Sequence, residues 1–385
     1  MSNCPLPVLL AALTAIAVAE DAPKEALPGH SMHGEAFDEG PRQFASLMSG
    51  MGDFHLEVTT KAPDAQKFFN QGIGQVHGFW YFEAERSFRQ AAWLDRDCAM
   101  AYWGMAMANI NNPKRAGELI KEASKRRDKV SPREQRWIDA WAAYYNEKSG
   151  DEKARRGKLI GALEELVYQF PDELEAKAFL VFQLWDNQQH GVPLPSRLAV
   201  DALAQQVVAR SPGHAGIHHY LIHLWNHKDG DKRATASAAL CGQGAPGIAH
   251  LWHMSGHTYS ELKRYADAAW QQEASARVDH AYINAARVMP EQIHNYAHNN
   301  DWLVQDLVYI GRIHGAVDLA KNLIEIPRLA PGKQQAWRMG RDRLLDTAVS
   351  FELWQELVSL ESTSYLTPDP EPPREVARLR ALGAA

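Results

Sequence analysis

Apolar side chains recur every three or four residues along most of this chain. Trp137, Trp141, Tyr144 and Tyr145 make one such stripe, and Phe179, Phe182 and Trp185 make another. That spacing lines one face of an α-helix, whereas a half-buried strand would alternate. Alternating β-branched runs joined by Asn-Gly or Asp-Gly turns are missing. Pro132, Pro171, Pro212 and Pro290, with Gly150, Gly191 and Gly230, interrupt the stripes roughly every 35–40 residues. The pattern predicts an all-α chain of short helices in antiparallel pairs.

Several pairs carry a repeat signature. Ala84, Phe88 and Ala91 fall at spacings of four and three, the way the second helix of a tetratricopeptide (TPR) repeat sets small residues against the first. Arg264-Tyr265 followed by Ala268, and Gly311-Arg312 followed by Ala316 and Ala320, repeat the entry of such a helix. Phe170-Pro171-Asp172 with Ala176, and Ser211-Pro212-Gly213, read as repeat ends. Pro171 and Pro212 stand further apart than the TPR period of about 34 residues, so the expected fold is an irregular TPR-like hairpin array, an α-solenoid.

The ends read differently. Residues 5–19 are apolar and uncharged and finish in Ala17-Val18-Ala19, a small-residue cleavage pattern. A run of about 15 residues is too short to span a bilayer but suits a signal-peptide core. Residues 1–19 are therefore expected to be an export signal, which places the mature chain in a periplasm or outside the cell. Residues 20–62 read as an extended arm with one short helix around 42–48, and residues 63–365 as the helical array. Residues 366–385 read as a Pro-rich linker, Thr367 to Pro373, leading to a short C-terminal helix. No later segment is apolar enough to span a membrane.

Composition narrows the function. The 385 residues are 45% hydrophobic and 23% charged, ordinary for a folded protein. A net charge of −6 argues against a nucleic-acid partner held by a basic face. Three cysteines make no disulfide framework. Cys98 reads as a small buried hydrophobe, and nothing requires it to pair with Cys241. Phosphate-binding glycine loops, a G-x-S-x-G elbow and CxxC are absent.

Histidine is the exception. Of 17 histidines, 12 lie between His214 and His314, where an even spread would put about four or five. Spacings of four recur at His214/His218, His219/His223, His223/His227, His253/His257 and His294/His298. On a helix such a pair shares a face, and two imidazoles there can grip one metal ion. His219/His223, His253/His257 and His294/His298 fall on successive predicted helices, with His250 one turn before His253. In a hairpin array alternate helices line one concave wall, so these pairs can converge on two metal ions of about three ligands each.

An imidazole-rich, carboxylate-poor set points to copper, with zinc or iron as alternatives. The H-E-x-x-H pattern is absent among these helices. The ligand spacing resembles that of the type-3 dicopper proteins, the tyrosinases and haemocyanins, in spacing alone. A pH-sensitive cluster needing no metal is the other reading of the same histidines. His77, Glu83, His214, His218 and His227 are possible additional ligands. Tyr220 and Trp252 are expected to flank the metals, and Phe79-Trp80-Tyr81-Phe82 to sit in the core. His30, Met32 and His33 offer donors for copper loading in the arm.

The run Pro212 to His223, ending in His219-Tyr220-Leu221-Ile222-His223, followed by His253-Met254-Ser255-Gly256-His257 and His298-Asn299, resembles a family of exported bacterial TPR-containing proteins. Members show His-Tyr-Leu-Ile-His, His-Met-Pro-Ser-His and a later His-Asn pair; Ser255-Gly256 replaces Pro-Ser here. Gly78 to Gly104 also looks like this family, with Trp80-Tyr81 where many relatives carry Asn-His. The likeness covers roughly residues 65 to 325 and implies the fold and the histidine site without a reaction. The expected function is an exported copper-type oxidoreductase acting on a small substrate in the groove. The alternatives are a TPR scaffold that binds a peptide, with a structural metal or none, and a copper carrier.

Overall fold

A computed structural model describes residues 40–385, except 42, 147, 149, 195, 227–230, 291–292, 294 and 328–334. Residues 1–39, which hold the expected export signal, the first part of the arm, His30, Met32 and His33, lie outside the described residues, as do His227 and His294. Seventeen α-helices and no strand are present among those described. They are α1 (Pro63–His77), α2 (Tyr81–Leu94), α3 (Ala99–Met107), α4 (Pro113–Ser124), α5 (Pro132–Tyr145) and α6 (Glu152–Gln169). Next come α7 (Leu174–Gln189), α8 (Arg197–Arg210), α9 (Ala215–Trp225), α10 (Asp231–Gly244), α11 (Ala249–Glu261) and α12 (Tyr265–Ala286). The last five are α13 (Tyr296–Tyr309), α14 (Ile313–Glu325), α15 (Gln335–Ser350), α16 (Trp354–Leu360) and α17 (Pro372–Ala384). No described helix is long and apolar enough to cross a membrane.

One turn recurs and makes the array. Phe79, Gly191, Lys263, Gly311 and Glu352 each adopt a left-handed conformation between paired helices, with φ between 53° and 78°. In each case the next residue's N–H bonds a carbonyl five residues back: Trp80 to Gln75, Val192 to Asn187, Arg264 to Tyr259, Arg312 to Leu307 and Leu353 to Ala348. This Schellman closure satisfies the last carbonyls of the first helix and reverses the chain into the second. The pairs α1–α2, α7–α8, α11–α12, α13–α14 and α15–α16 are all built this way. Helix starts are set by caps: Ser131 and Glu134 form a capping box, and Asn112, Asp151 and Ser196 cap their helices.

Within hairpins, small residues let helices close. Ala84, Phe88 and Ala91 are fully buried, and a Cβ on Gly72 of α1 would stand 2.6 Å from the Phe88 ring. One apolar core runs from Met51 to Ala268 and a second from Leu303 to Ala381. The arm departs from expectation. Residues 44–48 run without the expected helix, and the described residues between 40 and 62 pack along the array. Met51, Phe54, Leu56 and Val58 are buried, Gln71 exchanges hydrogen bonds with Met48 N–H (2.7 Å) and Ser46 O (3.0 Å), and Gly247 N–H bonds Gly50 O at 2.7 Å. Cys98 and Cys241 are buried and unpaired.

Candidate metal centre

Helices α9, α11 and α13 alternate with α10 and α12, and their inner faces bring six histidines together. His219, His223 and His250 form one group, and His253, His257 and His298 a second; in each, one ring nitrogen per residue lies within 4.8 Å of the others. The groups adjoin, because the His219 and His250 rings are 5.1 Å apart and His250 and His253 5.5 Å apart. These are six of the seven histidines of the three-helix set with His250, and the seventh, His294, lies outside the described residues.

Hydrogen bonds fix the tautomer of one histidine in each group. His219 Nδ1–H donates to the His77 carbonyl at 2.6 Å. His253 Nδ1–H donates to Gln272 Oε1 at 2.8 Å, and Gln272 Nε2 holds the His253 carbonyl at 3.3 Å. Each ring therefore carries its proton on Nδ1 and presents a bare Nε2 lone pair. The Nε2 atoms of His219, His223 and His253, and both ring nitrogens of His250, are buried without a hydrogen-bond partner. A buried polar atom left so costs about 1–3 kcal/mol, and a metal ion is the partner this geometry accommodates. Gly256 makes the second arrangement possible, since a Cβ there would meet Gln272 Nε2 at 2.3 Å.

Burial also keeps the rings uncharged. It pulls the pKa of His219 down to about 4 and that of His257 to about 3, and those of His223, His250 and His253 well below the usual range. Neutral imidazole is the form that ligates. Aromatic rings wall the groups: Phe79 lies 4.5 Å from His219 and 5.6 Å from His250, Trp185 stacks on His223 at 4.3 Å, and Trp302 meets His257 at 4.1 Å. Phe79 reaches this place through its left-handed turn, with φ of 54°, a position where glycine is usual.

The other candidates sit elsewhere. His77 bonds Glu175 at 2.7 Å and the Tyr220 hydroxyl at 2.8 Å, and meets the first group only through its carbonyl. His214 lies 3.4 Å from Glu175, and its Nδ1 accepts the Ile217 N–H, which leaves the proton on Nε2. His77, Glu175 and His214 form a third buried group whose ligand atoms lie within 4.8 Å of one another, with His77 hydrogen-bonded to Glu175 and His214 Nε2 left without a hydrogen-bond partner. His218 bonds Ser237 and the Pro212 carbonyl. Glu83 takes the Tyr282 hydroxyl at 2.5 Å and pairs with Arg86. Tyr220 stacks beside His219, whereas Trp252 turns away to meet Trp270 and the Pro246 carbonyl. Phe79, Trp185, Trp302 and Gln272 belong to the site and carry no sequence signal of it; Phe79 reads from the sequence as core.

No family model and no curated protein matches the chain. Some solved structures show a distant likeness to the chain. Yeast Tom70 is 11% identical over 87% of this chain and 67% of its own, at a TM-score of 0.42. The assembly chaperone of RpL4, Acl4, is 15% identical over 77% and 99%, at 0.31. The P58(IPK) TPR domain is 9% identical over 83% and 98%, at 0.24. These likenesses carry nothing about the histidines.

Proposed function

We propose that this TPR-like array holds two metal ions, each on three neutral imidazoles, and that the pair carries oxidoreductase chemistry on a small substrate. The observation behind the reading is the set of bare, buried ring nitrogens in two adjoining groups, one ring of each oriented through its other nitrogen. Three protein ligands leave a coordination position open, as reactive sites require and closed structural sites do not. All-imidazole ligation suits copper best, with zinc and iron as the other occupants. Copper bound there would supply one-electron chemistry. The chain's own contribution is to hold the rings neutral, fix their tautomers and exclude water behind Phe79, Trp185 and Trp302. The apolar leader supports an exported setting for this chemistry.

A scaffold reading uses the same fold. Hairpin arrays present extended surfaces to peptides, and the depth of the histidines suits a metal that only braces the array. One experiment separates the two. His253→Ala should remove one of two bound metal equivalents and abolish oxygen consumption by the copper-loaded protein given small phenols or amines. A variant that keeps full turnover contradicts the redox reading. Metal binding without turnover in the wild type leaves the brace or a carrier.

A further inference from the structure

Among the described residues, one buried polar atom outside the two histidine groups that has no hydrogen-bond partner, Asn299 Oδ1, lines a recess that also touches His250 of the first group. Its walls come from the α1–α2 turn (Gly78, Trp80), the start of α11 (Ile248, His250) and α12 (Val278, Tyr282), with Asp279 and Asn299 at its polar end. The recess has room for about one water-sized group.

Asp279 is 4% exposed, and no described cation pairs with it. Among the described residues its hydrogen bond comes from Asn299 Nδ2 at 3.2 Å, and Asn299 Oδ1 is buried without a partner beside it. His250 lines the same recess with both ring nitrogens unpartnered. Trp80 and Tyr282 meet edge to face, centroids 4.6 Å apart, and both are only half-buried, so they stand at the mouth. The recess thus combines an acceptor without a donor, Asn299 Oδ1, and a buried carboxyl with no described cation beside it, with aromatic faces. Burial pushes the Asp279 carboxyl up to about 7, so a cation beside it would restore its ordinary ionisation.

A group that donates several hydrogen bonds, carries positive charge and is no larger than water fills every one of these requirements. We infer that the recess binds the primary-amine head of a small substrate, with Asp279 and Asn299 Oδ1 accepting from the ammonium, Trp80 and Tyr282 flanking the adjoining carbon, and His250 bordering it on the metal side. Aromatic faces favour a cation over a neutral head, and the carboxylate favours it further. Asp279 here is a binding residue that sets the substrate class. The assignment deepens the oxidoreductase reading and rests on it for calling the amine a substrate.

The test is calorimetric titration of benzylamine into metal-free and copper-loaded full-length protein, with benzyl alcohol as the uncharged control. Wild type should bind benzylamine in preference to the alcohol, and Asp279→Asn should weaken benzylamine by about tenfold or more. Asn299→Leu, which removes the second acceptor, should weaken it in the same direction and stands in if Asp279→Asn does not fold. Equal binding by wild type and both variants, or no benzylamine binding by folded wild type at millimolar concentration, overturns the inference. Metal content of the same samples separates the two readings. Full metal with Asp279-independent binding overturns the amine site alone, whereas absent metal with Asp279-dependent binding overturns the metal centre alone.

Discussion

At the residue scale the site depends on side chains that hold other side chains. Gln272 fixes His253 by accepting from Nδ1, and nothing in its spacing marks it, because a lone glutamine on α12 looks like any polar helix residue. Gln272→Leu should lower metal affinity in the second group by about 10–100-fold, read by competition with a chelator, while the first group keeps its affinity. Equal loss in both groups, or none, would contradict the assigned role. Phe79 makes a second case, since its ring borders the first group from a strained backbone. Phe79→Gly removes ring and strain together, and Phe79→Ala removes only the ring. In urea unfolding the glycine variant should be the more stable of the two by about 1 kcal/mol. The histidine ligands themselves were legible, because spacing of four on a helix has a geometric meaning that a single Phe or Gln lacks.

Elements were more legible than their ends. The TPR-like alanines of α2, α12 and α14 predict which faces close, and Ala84, Ala268, Ala316 and Ala320 are all fully buried. Glycine at position 72 belongs to the same closure, and Gly72→Ala should cost about 1–3 kcal/mol of stability, measured by denaturant midpoint, because its Cβ meets the Phe88 ring. A neutral result would mean that α1 and α2 have slack. The hairpin turns were only partly readable: Gly191 and Gly311 mark theirs, but Phe79, Lys263 and Glu352 occupy the same left-handed position without glycine. Residues 44–48 fail the other way. Their apolar spacing suggests a helix, yet Gln71, Gln90 and neighbouring helices take up their backbone groups in an irregular path. Tertiary partners outweighed local preference there.

At the scale of the whole molecule, the array curls so that α1 and α2 meet helices far along the chain. The His77 carbonyl reaches His219, and Glu83 reaches Tyr282, so the first hairpin closes over the centre that later hairpins build. Sequence spacing indicates that α9, α11 and α13 share a wall but not what covers it, since that depends on the cumulative twist of the array. Burying so many neutral imidazoles also sets a pH dependence. Folded pKa values of about 4 for His219 and about 3 for His257 lie below the unfolded value near 6.5, as do those of three neighbours. The unfolded chain then binds more protons, so this stability is present above pH 6.5 and is lost as pH falls towards 4. Asp279 and Asp306, both raised to about 7, act oppositely over the same window, but the histidines outnumber them. The metal-free protein should melt at a lower temperature at pH 5 than at pH 7.5, and an unchanged or higher melting temperature would show that the imidazoles are not held neutral. The central claim is most directly tested by metal content, using mass spectrometry on untagged protein loaded separately with copper, zinc or iron. The account predicts two tightly held ions per chain, with copper retained best. No stoichiometric metal under any loading would contradict it and leave a hairpin scaffold with an unexplained set of buried histidines.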